Sequence, residues 1–259
     1  MKNKFSKLVM LGVGAVGIIT ATSGCATVSD WFQKPVDERA EQAYSQGEWS
    51  KAIQLYSTAL REKGEQYKFY LNRGRSYKSV GRLSAALADL NKAKEIRPND
   101  PRNQVVRARA EILYEQGDYE AAKEDARDVL QNNPDALQYQ ILKGKCLYKL
   151  EHYKEATRTF KEAYETVSPD SEQGLKLGSY LAWSFYKQKD YEKALQTYME
   201  RYFNVKQNSD DRSPSARDYY AAGFLYHVNM EDAKRNEMWN HISSATLREL
   251  KQQATLGIQ

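Results

Sequence analysis

A chain of 259 residues, 41% apolar and 28% charged, has room for one sizeable domain or two small ones and is too apolar to be disordered throughout. Its two cysteines, Cys25 and Cys146, exclude a disulfide scaffold, and only 14 Gly and six Pro, with no alternating run closed by a tight-turn pair, leave helix as the dominant structure. The formal charge of +5 does not mark a nucleic-acid binder: Lys2, Lys4 and Lys7 stand in a segment, residues 1–24, that holds no acid, and setting these three aside leaves +2, with bases and acids interspersed.

The first predicted element is the stretch LGVGAVGIITATSGCA at residues 11–26. Gly12, Gly14 and Gly17 spell the G-x-G-x-x-G of a dinucleotide-binding turn. That turn needs a helix after it and a second strand before the ribose-binding acid. Pro35 and the Ser23-Gly24-Cys25 stretch interrupt such a helix, and no apolar strand precedes Asp37, so the motif is read as small apolar filler. The same residues suit a cleaved leader: three lysines, an uncharged run over Leu8–Ile19, then small residues at Ala21–Gly24. Thr22-Ser23-Gly24-Cys25 resembles a lipobox, with Thr22 where Leu is usual, and the resemblance implies acylation of Cys25 as the new N-terminus. The expected organisation is therefore a lipoprotein signal peptide at 1–24, a lipid-anchored tether at 25–34 and a folded body at 35–259. An uncleaved anchor remains the alternative, since residues 8–29 carry no charge.

The body repeats. GEWSKAIQLYSTAL (Gly47, Trp49, Ala52, Tyr56, Ala59) recurs as GRLSAALADLNKAKEIRP (Gly81, Leu83, Ala86, Leu90, Ala93), as GDYEAAKEDARDVLQNNP (Gly117, Tyr119, Ala122, Ala126, Val129), as EHYKEATRTFKEAYETVS (Tyr153, Ala156, Phe160, Ala163) and as KDYEKALQTYMER (Tyr191, Ala194, Tyr198). Successive copies lie 34, 36, 34 and 38 residues apart. Small residues Ala40, Gly74, Ala110, Gly144 and Ala182 fall at matching places upstream. The pattern resembles the tetratricopeptide repeat, a helical hairpin of about 34 residues. The resemblance implies an all-α, right-handed solenoid of five to six hairpins, in which the small residues let paired helices approach closely and Pro98 and Pro134 stop second helices. Residues 214–234 read as a sixth, decayed copy with Ala221, Phe224 and Ala233 at core places and Ser213-Pro214 opening its first helix. Met238, Trp239, Ile242, Leu247 and Leu250 read as one capping helix. NVKQNSDDRSPSA, residues 204–216, reads as a polar loop.

In the family the first helices line a concave groove. The groove places carry Tyr44, Lys78, Tyr114, Tyr148 and Tyr186 on one line, with Asn72, Arg75, Arg107, Lys145, Lys149, Lys176, Tyr180, Trp183, Lys187, Tyr219 and Tyr226 around them. An aromatic and basic groove suits a protein or extended peptide partner, because rigid phenols give contact area at low entropy cost. Equally, each tyrosine could pack half-buried against the neighbouring first helix for stability. Asp37 and Glu41 stand where a chaperone-type carboxylate clamp would need Lys and Asn.

Catalysis finds little support. His152, His227 and His241 lack spaced partners, no nucleophile elbow, zinc-protease helix or P-loop occurs, and Cys146 falls at a helix-facing place. No cofactor, metal or nucleic acid is expected. The expectation is a non-catalytic scaffold of a bacterial envelope, anchored by lipid to a membrane, the outer one favoured, and serving assembly of an envelope complex such as outer-membrane protein assembly, pilus or secretion machinery. An accessory regulator of a cell-wall hydrolase or synthase is the alternative.

Overall fold

The computed structural model describes residues 34–208 and 213–253. The leader, Cys25 and residues 25–33 of the tether lie outside them. Within the described residues the chain is helical and has no β-strand. Helices pair as antiparallel hairpins in chain order: α1 (Val36–Ser45) with α2 (Trp49–Lys63), α3 (Tyr67–Ser79) with α4 (Leu83–Ile96), and α5 (Gln104–Glu115) with α6 (Tyr119–Asn132). Next come α7 (Leu137–Lys149) with α8 (Tyr153–Tyr164), and α9 (Glu172–Lys187) with α10 (Tyr191–Tyr198). Beyond α10 lie a π-helical turn (Met199–Phe203), α11 (Asn204–Gln207), the sixth hairpin of α12 (Ala216–Val228) and α13 (Asp232–Trp239), and α14 (Ser244–Gln253). Each first helix packs on its own second helix and, through hairpin five, on the second helix of the hairpin before it, the arrangement of an α-solenoid.

The repeat is written in close contacts. Ala40, Ala110 and Ala182 on first helices, and Ala52, Ala86, Ala122, Ala156 and Ala194 on second helices, are completely buried. At Gly74 an added Cβ would stand 3.0 Å from Leu90 Cγ, and at Gly144 it would overlap the Phe160 ring, so a larger side chain at either place must push Leu90 or Phe160 of the paired helix aside. The large residues that fill the rest, Tyr56, Leu90, Phe160 and Tyr198, sit at one shared register on the second helices.

One turn geometry recurs in every hairpin. After each first helix an amide donates five residues back, as Asp118 does to the Leu113 carbonyl at 2.9 Å, while the preceding amide donates three back, as Gly117 does to Tyr114 at 3.1 Å. This is a Schellman closure, which requires one residue in the left-handed region. Gly47, Gly81 and Gly117 supply it at φ 73°, 75° and 84°, and Glu151, Lys189 and Met230 occupy the same place at φ 64°, 63° and 61°. Amide side chains in the last two turns stitch neighbouring hairpins: Gln188 Nε2 donates to Thr157 Oγ1 at 2.8 Å and Asn229 Nδ2 to the Tyr191 carbonyl at 2.9 Å.

Three expectations for the C-terminal third are corrected. The loop does not begin at Asn204, because the second helix of hairpin five runs on through the π-turn and α11 to Gln207. Gly178 explains the π-turn's position: it lets the Arg201 carbonyl rest on the first helix, where a Cβ would collide with it. Second, the sixth hairpin is opened by Ser215 rather than Ser213-Pro214. Its hydroxyl accepts the Asp218 amide and the Asp218 carboxylate accepts the Ser215 amide at 2.7 Å, a complete capping box. Third, the capping helix is α14 alone. Met238 and Trp239 end α13, Ile242 lies in the turn, and Ala233 is exposed; Trp239 instead stacks on Tyr220 with centroids 5.8 Å apart and covers Gly223.

Asp218 also accepts from the Tyr202 hydroxyl at 2.7 Å and pairs with Lys206 at 2.5 Å, tying the extended second helix to the sixth hairpin. Burial alone would raise its pKa, but Lys206, Ser215 and Tyr202 outweigh burial and hold it below 3.8. Its folded pKa is depressed, so the contribution is complete above the unfolded value and is lost as pH falls through the folded one. In urea titrations the stability margin of the native chain over Asp218→Asn is therefore full near pH 5 and shrinks below pH ~3.8, the ordinary Asp value. Replacing Glu151 or Lys189 with Gly removes a left-handed strain of ~1 kcal/mol and raises the unfolding midpoint.

Candidate functional site

The first helices carry the candidate surface, and what each predicted residue touches sorts them into three groups. The tyrosine line is engaged within its own hairpins. Tyr44 packs on Trp49 with centroids 5.6 Å apart, Tyr114 on Tyr119 at 5.3 Å, Tyr148 on Tyr153 at 5.4 Å and Tyr186 on Tyr191 at 5.5 Å. Each pair joins the last turn of a first helix to the first residue of the second and so closes the hairpin tip. Hairpin two, with Lys78 and Leu83 at these places, has no such pair. Tyr148 is 7% exposed and Trp183 4%; Trp183 packs among Tyr186, Tyr198 and Phe224. These two are core side chains, whereas Tyr44, Tyr114, Tyr180 and Tyr186 keep one edge on the surface.

The second group is cations with partners. Lys78 pairs with Glu111 and Lys68 with Glu41, each ion pair crossing from one first helix to the next. The Arg75 guanidinium reaches the Gln104 carbonyl at 3.5 Å, and Arg107 lies over the Tyr139 ring, 5.6 Å from its centroid. Predicted groove residue Asn72 is turned inward, where its amide donates to the buried Tyr56 hydroxyl at 2.9 Å. Glu111 and Tyr139 are the members that sequence reading missed; the signal for Glu111 was its groove place one repeat on from Arg75, and Tyr139 falls one residue outside the groove places.

The third group is cations without acids. Lys145 is half-buried with its ammonium 4.7 Å from the centroid of Tyr114, and burial first, then Lys149 and Lys176, push its pKa down. Lys149 and Lys187 are exposed and have no ion pair among the described residues. Desolvation also pushes the Tyr114 phenol up, and among the described residues no protein group bonds its buried hydroxyl. Two further cations are neutralised inside the stack: Arg73 forms a two-point pair with Asp89 at 2.7 Å, and one repeat on Arg109 stands 3.0 Å from Asp125 in a single ion-pair contact.

Groups with catalytic potential are occupied elsewhere. Cys146 is fully buried, and desolvation pushes its thiol up to about 12, which keeps it protonated and unreactive. His227 Nδ1 meets Asp232 at 3.0 Å, His241 lies flat on Tyr219 with centroids 4.3 Å apart in the turn after α13, and His152 stands at the N-cap place of α8 without a side-chain capping bond. Among the described residues no cluster of His, Cys, Asp and Glu could hold a metal ion, and no helix is long and apolar enough to cross a membrane.

Comparison with known proteins places this architecture. Tetratricopeptide-repeat models match residues 38–101 and 180–200, and the model of anaphase-promoting complex, cyclosome, subunit 3 matches residues 81–163. The chain is a tetratricopeptide-repeat protein. Among curated relatives, the DnaJ homolog subfamily C member 3 of Gallus gallus is 27% identical over 139 residues, covering 51% of this chain and 26% of that one. Protein SGT1 homolog of Bos taurus is 36% identical over 88 residues, 34% of this chain and 25% of that one. The chain thus spans about a quarter of the length of these relatives. Similar solved folds include a tetratricopeptide repeat protein from Parabacteroides merdae, with TM-score 0.55, 16% identity and coverage of 86% of this chain and 97% of that one. MamA from Desulfovibrio magneticus RS-1 gives 0.58, 20%, 74% and 99%, and YrrB, described as having an unusual peptide-binding site, gives 0.54, 22%, 71% and 88%.

The packing makes a direct prediction. Tyr148→Ala lowers the unfolding free energy by about 3 kcal/mol in urea titration, as for a buried aromatic, whereas exposed Lys149→Ala stays within about 0.5 kcal/mol.

Proposed function

We propose that the protein is a non-catalytic scaffold that is exported, cleaved before Cys25, anchored by lipid in a bacterial envelope, and holds a protein partner along its first-helix face. A tetratricopeptide array is a protein-binding scaffold in general. The observation that carries the partner reading is the first-helix face of hairpins four and five, where Lys149 and Lys187 are exposed with no ion pair among the described residues and Tyr180 and Tyr186 keep a surface edge. Such a face offers aromatic contact area and charge to an extended chain, and the stacked hairpins hold it rigid, so little ordering entropy is lost on binding. YrrB's described peptide-binding site is consistent with this use of the fold.

The envelope reading rests on the leader-like residues 1–24 and the lipobox-like Thr22-Ser23-Gly24-Cys25. Two or three acyl chains on one cysteine give a lasting anchor where a single chain does not. An anchor also confines the scaffold near a membrane-bound target, which raises effective concentration without further contacts. The service we assign it is assembly of an envelope complex.

Two measurements test these statements separately. Cys25→Ala moves the protein from the carbonate-washed membrane fraction to the soluble one; retention on the membrane would identify an uncleaved helix as the anchor. For the groove, affinity capture from solubilised membranes, with partners identified by mass, recovers a partner that the double variant Lys149→Glu, Lys187→Glu retains at least tenfold less well, with unchanged far-ultraviolet circular dichroism. Equal capture by both proteins would move the binding surface to the convex side or to the segment after Gln207.

A further inference from the structure

The cations of the first-helix face differ in what opposes them. In the first three hairpins both lysines that cross between first helices meet acids of the fold, Lys68 against Glu41 and Lys78 against Glu111, while Arg75 reaches the Gln104 carbonyl and Arg107 lies over the Tyr139 ring. In hairpins four and five this pattern stops. Lys145 is drawn onto the Tyr114 ring at 4.7 Å and partly desolvated, yet no carboxylate among the described residues pairs with it or with Lys149. Its charged neighbours are the further cations Lys149 and Lys176, and the nearby acid Glu172 is held by Lys176 at 2.5 Å on the same helix. A half-buried ammonium among like charges is held at a cost that a carboxylate brought from outside would offset. The fold positions such a group well: the phenol platform fixes one ammonium in place, so a partner carboxylate meets a preorganised charge rather than a mobile lysine.

We infer that Lys145, with Lys149 beside it, is the docking point for an internal Asp or Glu side chain of an extended peptide segment of the partner. The inference rests on the groove reading above and adds to it a register and a charge: the acidic residue lies over hairpins three to five, while on the face of hairpins one and two Lys68 and Lys78 already hold acids of the fold. A side-chain carboxylate is preferred to a chain end because the face continues past Lys145 in both directions, to Tyr186 and Lys187 on one side and to Arg107 and Arg75 on the other. A segment lying along it therefore runs through the site.

The test uses two random 12-residue display libraries selected on the folded protein, one fused at both ends and one with a free C-terminus. The expected result is that the both-ends-fused library returns sequences enriched at least threefold in Asp and Glu over the input. A selected peptide, synthesised with both ends blocked and followed by fluorescence anisotropy, binds Lys145→Gln at least tenfold more weakly, Lys145→Arg within threefold of wild type and Lys78→Gln within twofold. Absence of acidic enrichment, equal binding by Lys145→Gln, or an equal loss with Lys78→Gln overturns the inference. Enrichment confined to the free C-terminus library also overturns it, in favour of a terminal carboxylate. If Lys145→Gln loses its helical circular dichroism, exposed Lys149→Gln takes its place with an expected threefold loss, and no loss there counts against the site. Failure of both libraries to yield any binder would instead remove the groove reading itself.

Discussion

The close approach of the two helices in each hairpin is the constraint on which the rest depends. It is set by small residues on both helices, such as Ala40 and Ala52 in the first hairpin and Ala110 and Ala122 in the third, with no exposed surface left at any of them. With the helices this near, the second helix can seat a large side chain such as Tyr56 or Phe160 against the next hairpin, and stacking follows from it. The turn must then reverse the chain over a short gap, which the Schellman closure does, and this fixes which residue takes a left-handed φ. Three hairpins meet that demand with Gly and three with residues carrying a Cβ, so the geometry is imposed by the packed helices and not by the turn residue.

Once the helices are stacked, equivalent places on successive first helices line up, and their charges interact across hairpins. That alignment brings Lys78 to Glu111 although the two are 33 residues apart. The same stacking leaves Lys145 over the Tyr114 ring with Lys149 and Lys176 as its charged neighbours instead of acids. A face that looks uniformly aromatic and basic in composition is thus divided into a part whose lysines hold acids of the fold and a part whose lysines hold none among the described residues. The tyrosines mark the fold as much as the face, because each of the four closes a hairpin tip against its own second helix.

The regular part of the array was legible because its core residues recur at fixed spacing and their size is dictated by contact within one hairpin. Ala52, Ala86 and Ala122 announce themselves by period, and Pro98 and Pro134 announce where second helices end. The C-terminal third was less legible for a physical reason. At hairpin five the second helix carries Arg201 where earlier copies carry Ala or Val, and the backbone answers with a π-turn laid on Gly178, which no local propensity signals. At hairpin six Arg235 stands where earlier second helices carry the small contact alanine, and Trp239, at the register of Tyr56 and Phe160, packs on Gly223, while Ala233 is exposed.

By itself the sequence determined the family, the hairpin register, the small-residue contacts and the list of residues that first helices present, because these depend on residue size and spacing over one repeat. The expectation of an exported, lipid-bearing N-terminus also belongs to the sequence, since it is written in the residue types of a short contiguous segment. The tertiary structure alone decided which of the presented residues are available. Burial of Tyr148 and Trp183, neutralisation of Lys78, and isolation of Lys145 over Tyr114 are all fixed by partners in other hairpins. Charge and exposure at a groove place depend on what the neighbouring helix puts opposite it, and that distance exists only when the solenoid has closed.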